Sequence, residues 1–181
     1  MQLFLYLHQS ESIFKPTDFK LPYLYMDEIP KIENKIEALY LYINGNSVDQ
    51  EGDSWHYYHN PKIVSHLNSF SKNECEKFVS EIWNWKEEIV LDLADPFLSI
   101  VNPNLNGSYL YCKLILHVDD LESQEYLTQN IQVVHNIPKR SQPLNFYLDL
   151  AKKVLNVNEK NNGSYNYAAE EMRLKIIEEK T

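Results

Sequence analysis

Glycine is nearly missing from this chain, with four among 181 residues. That is too few for a phosphate-cradling loop, and no nucleophile elbow is present; both devices need backbone that only glycine supplies. Cysteine is scarcer still. Cys75 and Cys112 fall in segments that read as buried helix faces, and two thiols so far apart make neither a metal pair nor a disulfide framework, which points to a reducing compartment. Basic charge is short as well: 17 Lys and Arg stand against 26 Asp and Glu, a formal charge of −9 with a pI near 5.1. A nucleic-acid or anionic-membrane surface needs a clustered excess of the opposite sign, so neither partner is expected and a basic protein suits the chain better. Long apolar runs are lacking too. Residues 1–8, with Leu3, Leu5 and Leu7, have no positive leader and are too short for a signal peptide or a membrane span, so the cytoplasm is the expected location.

What is present is a globular composition, 44% hydrophobic and 13% aromatic with thirteen tyrosines, enough to fill one core. Leu3, Leu5 and Leu7 alternate with Phe4 and Tyr6 as in a buried strand, and a proline-punctuated connection from Lys15 to Pro30 follows. From Lys31, the apolar positions Ile32, Ile36, Leu39, Tyr40 and Ile43 favour a helix with Gly45 as its C-cap, against a competing strand alternation before Asn44-Gly45. Asn60-Pro61 reads as a helix start, and Ser71 with Glu74 has the capping-box form ahead of Cys75, Phe78, Val79, Ile82 and Trp85. Residues 87–94 and 109–118 fit a helix or a buried strand. Asp95-Pro96 caps a further turn, and Asp119 with Glu122 caps a helix through Leu121, Tyr126, Leu127 and Ile131, which favours helix for the segment before it. Ser141 opens a helix, with Pro143 in its first turn and Leu144, Tyr147, Leu148, Ala151, Val154 and Leu155 on one face. A linker over residues 156–163 leads to a last helix, in which Glu171 pairs with Lys175 four residues on.

These signals predict a mainly α, irregular multihelical or helical-repeat-like single domain over 1–181, of mixed character in 1–59 and helical in 60–181. A short N-terminal strand or hairpin can accompany it, and α+β is the alternative class. The expected core includes Phe78, Ile82, Leu93, Leu114, Leu127, Leu148 and Ala151.

Candidate chemistry is thin. His56 and His59, with His66 nearby, are the nearest approach to a metal motif, but no acid stands at the spacing of the helical zinc-protease pattern, and these rings read as packing or surface groups. Asp92 and Asp95, or Asp119, Asp120 and Glu122, offer paired carboxylates, yet Asp95 and Asp119 stand at helix starts where capping and the helix dipole already account for an acid. No catalytic residue, metal or cofactor is therefore expected. Trp85 continues a helix stripe, whereas Trp83 sits off it and is a candidate interface anchor. Asp92, Asp120 and Glu122 with Trp83 form the expected partner-binding set.

The segments 54–61 (SWHYYHNP), 91–96 (LDLADP) and 109–112 (YLYC), set in a short, acidic, cysteine-poor chain, resemble the small acidic immunity proteins that bacteria make beside polymorphic or contact-dependent inhibition toxins. The resemblance covers the character of the whole chain and carries over no individual site residue. It implies cytoplasmic neutralisation of one cognate toxin, by blocking its active site or substrate surface. Two other classes compete: a small hydrolase using Asp92 or Asp95 with His56 or His59, and a helical scaffold with several partners.

Overall fold

A computed structural model describes residues 26–47 and 55–181. Among these residues the chain is mainly helical, without a strand: α1 (Lys35–Asn46), a π-helical turn (Trp55–His59), α2 (Asn60–Asn68), α3 (Lys72–Glu81), a 3₁₀ turn (Ile82–Asn84), α4 (Glu87–Leu91), α5 (Ala94–Ser99), α6 (Gly107–His117), α7 (Leu121–Thr128), a 3₁₀ segment (Ile131–Asn136), α8 (Leu144–Lys160) and α9 (Asn166–Lys180). The three ambiguous segments are all helical, and the multihelical class stands. The strand expected near Leu3–Leu7 lies outside the described residues.

α6 is the axis of the packing. It touches α4, α5, α7, α8 and the 3₁₀ segment, and its near-continuous apolar sequence is what such a position demands, because a helix covered on most sides has no polar face to spare. Leu110, Tyr111, Cys112, Leu114 and Ile115 are all buried. α5 approaches α6 so closely that a Cβ at Gly107 would stand 2.0 Å from the Phe97 carbonyl oxygen; here the sparse glycine is spent on close contact. α8 and α9 form a hairpin through a turn in which Asn162 and Gly163 take positive φ, 53° and 83°.

Asparagines fasten the joints. Asn102, buried in the α5–α6 loop, donates to the carbonyls of Leu67 and Phe70 at 3.0 and 2.9 Å, and Asn68 Oδ1 accepts from the amides of Val101 and Asn102. Asn102 thus satisfies the Leu67 carbonyl in the last turn of α2 and the Phe70 carbonyl just past it, and Asn68 satisfies two amides of the loop. Asn46 likewise donates to the Met26 carbonyl at 3.1 Å and accepts from its amide at 3.0 Å.

Several local expectations are corrected. Ser71 and Glu74 form the reciprocal capping box, but Asn60 lies inside a helix because the π-turn runs into α2, and His59 takes the cap position. Asp95 sits in the first turn of α5 behind Leu93. Asp120, not Asp119, caps α7, and Pro143 occupies the cap position of α8 in place of Ser141. Gly45 is within α1, whose C-cap is Ser47, and Ile32 precedes the Asn34 cap. The core residues Phe78, Ile82, Leu93, Leu114 and Leu127 are buried, whereas Leu148 and Ala151 are half-buried and Leu144 and Leu155, expected on the same inward face, are exposed, because α8 turns Tyr147, Leu150, Val154 and Val157 inward. α8 also runs through most of the expected linker. Glu171 pairs with His135, and Lys175 with Glu178 and Glu179, so the anticipated Glu171–Lys175 pair does not form.

Candidate functional site

Asp92 and Asp95 flank the short joint between α4 and α5, and both line a pocket of about 200 Å³ with Trp55, Leu91, Ala94 and Tyr126. The tight connection is the cause: α4 closes on Asp92, whose amide bonds back to Glu88 and Val90, and α5 begins at Ala94. Trp55 enters from the π-turn and stacks on His59, with centroids 5.0 Å apart at 29°. His59 is buried, its Nδ1 2.7 Å from the Tyr42 hydroxyl.

Asp95 is held on both oxygens. Oδ1 accepts from the Tyr126 hydroxyl at 2.9 Å, Oδ2 accepts from Asn60 Nδ2 at 3.3 Å, and His56 Nδ1 stands 3.5 Å from Oδ2. Burial, and then the negative charges of Asp95 and Asp92, push the Tyr126 phenol up to about 12, so it remains a donor at any physiological pH. The pocket thus presents two carboxylates between an indole and a phenol, and Asp95 is held by neighbouring side chains before any ligand arrives.

The four expected partner-binding residues do not converge. Asp92 is in the pocket. Glu122 is exposed in the first turn of α7, four residues before Tyr126 and so on the same helix face, one turn away. Asp120 is the α7 cap: its Oδ2 accepts from the Ser123 amide at 2.8 Å, and that bond above all holds its carboxyl below the usual range. Asp119, beside it, pairs with Lys153 at 3.1 Å. Trp83 belongs elsewhere. It is half-buried, lines a second groove with Tyr109, Lys113, Leu116, His117 and Phe146, and carries the Lys113 ammonium 4.5 Å over its ring. The two linings share no residue, and a tryptophan roofed by a lysine is a poor anchor for a basic partner.

Trp55 and Tyr126 are the pocket residues that sequence reasoning missed. Tyr126 fitted the inward stripe of α7, yet it is 43% exposed, and its partner Asp95 is 31 residues away, beyond any local pattern. The histidines go to three different partners. His56 stands by Asp95, His59 by Tyr42, and His66 Nε2 lies 2.8 Å from the Lys35 carbonyl, with burial holding its pKa below the ordinary value. Among the described residues no three His, Cys, Asp or Glu side chains gather as metal ligands, and no helix is long and apolar enough to cross a membrane. No protein-family model, curated protein or solved structure matches the chain, so the meaning of this pocket rests on its own residues.

Proposed function

We propose that the protein binds and neutralises a cognate toxin in the cytoplasm, in the manner of an immunity protein, through the acidic face formed by the Asp92–Asp95 pocket and the first turn of α7. The observation that carries this reading is the pair of carboxylates set between Trp55 and Tyr126, with Glu122 exposed one helix turn before Tyr126, on a chain of net charge −9. Lysine and arginine side chains are attracted both to carboxylates and to aromatic faces, so such a face suits a basic toxin cleft. The net charge speeds encounter, and the aromatic walls supply the desolvated contacts that slow escape.

The test is binding to the toxin encoded beside this gene, at low and high salt. Asp120→Asn keeps an equally good cap while removing a charge, and Glu122→Lys reverses one. Together they should slow association and flatten its salt dependence, whereas Tyr126→Leu should mainly raise the off-rate. Association indifferent to salt and to all three changes would remove the acidic face from the interface. The hydrolase alternative draws on the His56–Asp95 approach, and Asp95 in that role is already engaged by two other donors. Turnover abolished by Asp95→Asn with the fold intact would favour it.

A further inference from the structure

Lys113 stands out by its lack of a counter-charge. Among the described residues, every other lysine that is half-buried or buried reaches a carboxylate: Lys35 pairs with Glu74 at 3.3 Å, Lys62 with Glu28 at 3.2 Å, Lys153 with Asp119 at 3.1 Å, and Lys175 with Glu178 and Glu179 at 3.0 and 2.9 Å. Lys113 is half-buried and makes no ion pair among the described residues, in a protein with nine more acids than bases. Its ammonium rests over the Trp83 ring instead, and desolvation lowers its pKa without any compensating charge. A partly desolvated cation is costly unless paired, so the site is electrostatically incomplete.

The surroundings define what would complete it. Tyr109, Lys113, Leu116 and His117 recur at helical spacing along one face of α6, Phe146 packs on Tyr109 with centroids 5.4 Å apart, and Trp83 meets His117 edge to face at 5.4 Å. They enclose a mostly apolar groove of about 330 Å³, at the small end of the range for small-molecule sites. We propose that this groove binds a small amphipathic carboxylate, its hydrocarbon body lying against Trp83, Leu116 and Phe146 and its carboxylate paired with the Lys113 ammonium. One positive charge and one short apolar trough fit a monoanion of that kind, and the acidic face proposed for the toxin has no part in it. The inference therefore stands independently of the toxin reading.

The full-length protein can be titrated with 3-phenylpropionate and with its neutral amide, following the Trp83 indole N–H resonance, assigned through Trp83→Phe. The expected result is saturable binding of the acid, at least ~10-fold tighter than the amide, the factor that a single well-placed charged contact supplies. Lys113→Met should erase that difference and leave the amide unchanged, while Lys113→Arg should retain it. Without ligand, Lys113→Met should melt no lower than wild type, since it replaces an unpaired cation by an apolar side chain of similar shape. Equal binding of acid and amide would overturn the proposal, as would an acid preference that survives Lys113→Met. A Trp83 signal that shifts with protein concentration and not with probe would assign the groove to a second copy and equally overturn it. Should Lys113→Met fail to fold, the acid-against-amide comparison on the wild type decides alone.

Discussion

Lys175 has a side chain with no exposed surface, and its ammonium donates to the Ile137 carbonyl at 2.9 Å besides its two glutamates. Burial alone would lower its pKa; the bonds to Glu179 and Glu178 outweigh that and raise it. For Glu179 burial pushes the carboxyl upward, and the bonds from Lys175 and from the Arg140 amide hold it below the ordinary value. Breaking a buried pair from one side leaves the other charge uncompensated, on the order of 3–5 kcal/mol. Because the folded pKa is depressed, Glu179 contributes fully above its unfolded value, about 4.3, and loses that contribution as pH falls through the lower folded value. Glu179→Gln should therefore be clearly less stable than wild type in urea at neutral pH, and the gap should narrow at a pH well below 4.3, where the wild-type carboxyl is also neutral. A gap that stays constant across that range would show that the pair contributes nothing through charge. Nothing in the sequence announced this arrangement. The Glu171–Lys175 spacing suggested an ordinary surface pair, and only the approach of the residue 137 carbonyl from another element turns Lys175 inward.

At the scale of elements, α8 separates what was legible from what was not. Its existence was readable from apolar spacing, but its length was not, since it continues to Lys160 through most of the expected linker; nor was its rotation, because Leu144, Leu148, Leu150, Val154, Leu155 and Val157 offer two overlapping stripes and only the neighbours decide between them. α6, α7 and α9 all pack on α8 and select the stripe containing Leu150. Leu150→Ala should accordingly cost about 2–5 kcal/mol, whereas Leu148→Ala, half-buried, should shift the denaturant midpoint by well under half as much; equal shifts would mean that the face is assigned wrongly. Helix starts follow the same logic. Ser71 was legible because a capping box specifies both partners at once. The α7 start was misread by one residue, since Asp119 and Asp120 are chemically identical: Asp120 takes the cap while Asp119 turns to Lys153 of α8. The acidic pocket was half legible: Asp92 and Asp95 share a local turn, but Tyr126 arrives only when α7 folds back against α5.

Across the whole molecule, the charge is divided more finely than a net value suggests. Carboxylates gather at the α4–α5 joint and the α7 start, while the aromatic groove on α6 carries a cation without a counter-charge among the described residues, so one molecule presents two chemically opposite surfaces. Both depend on α6 and its neighbours staying packed. Cys75 in α3 and Cys112 in α6 are fully buried, the first with its thiol raised by burial and the second pushed up to about 12. A thiol that is neither ionised nor reachable cannot be alkylated until its surroundings open. The two side chains are thus a pair of clocks started by unfolding, placed in separate elements of one core. With excess reagent in mild denaturant, both should be modified at one shared rate if the domain opens as a unit, and at two distinct rates if α3 peels away before α6 is exposed. The scarcity of cysteine makes that comparison clean: each modified site reports the lifetime of a known part of the fold.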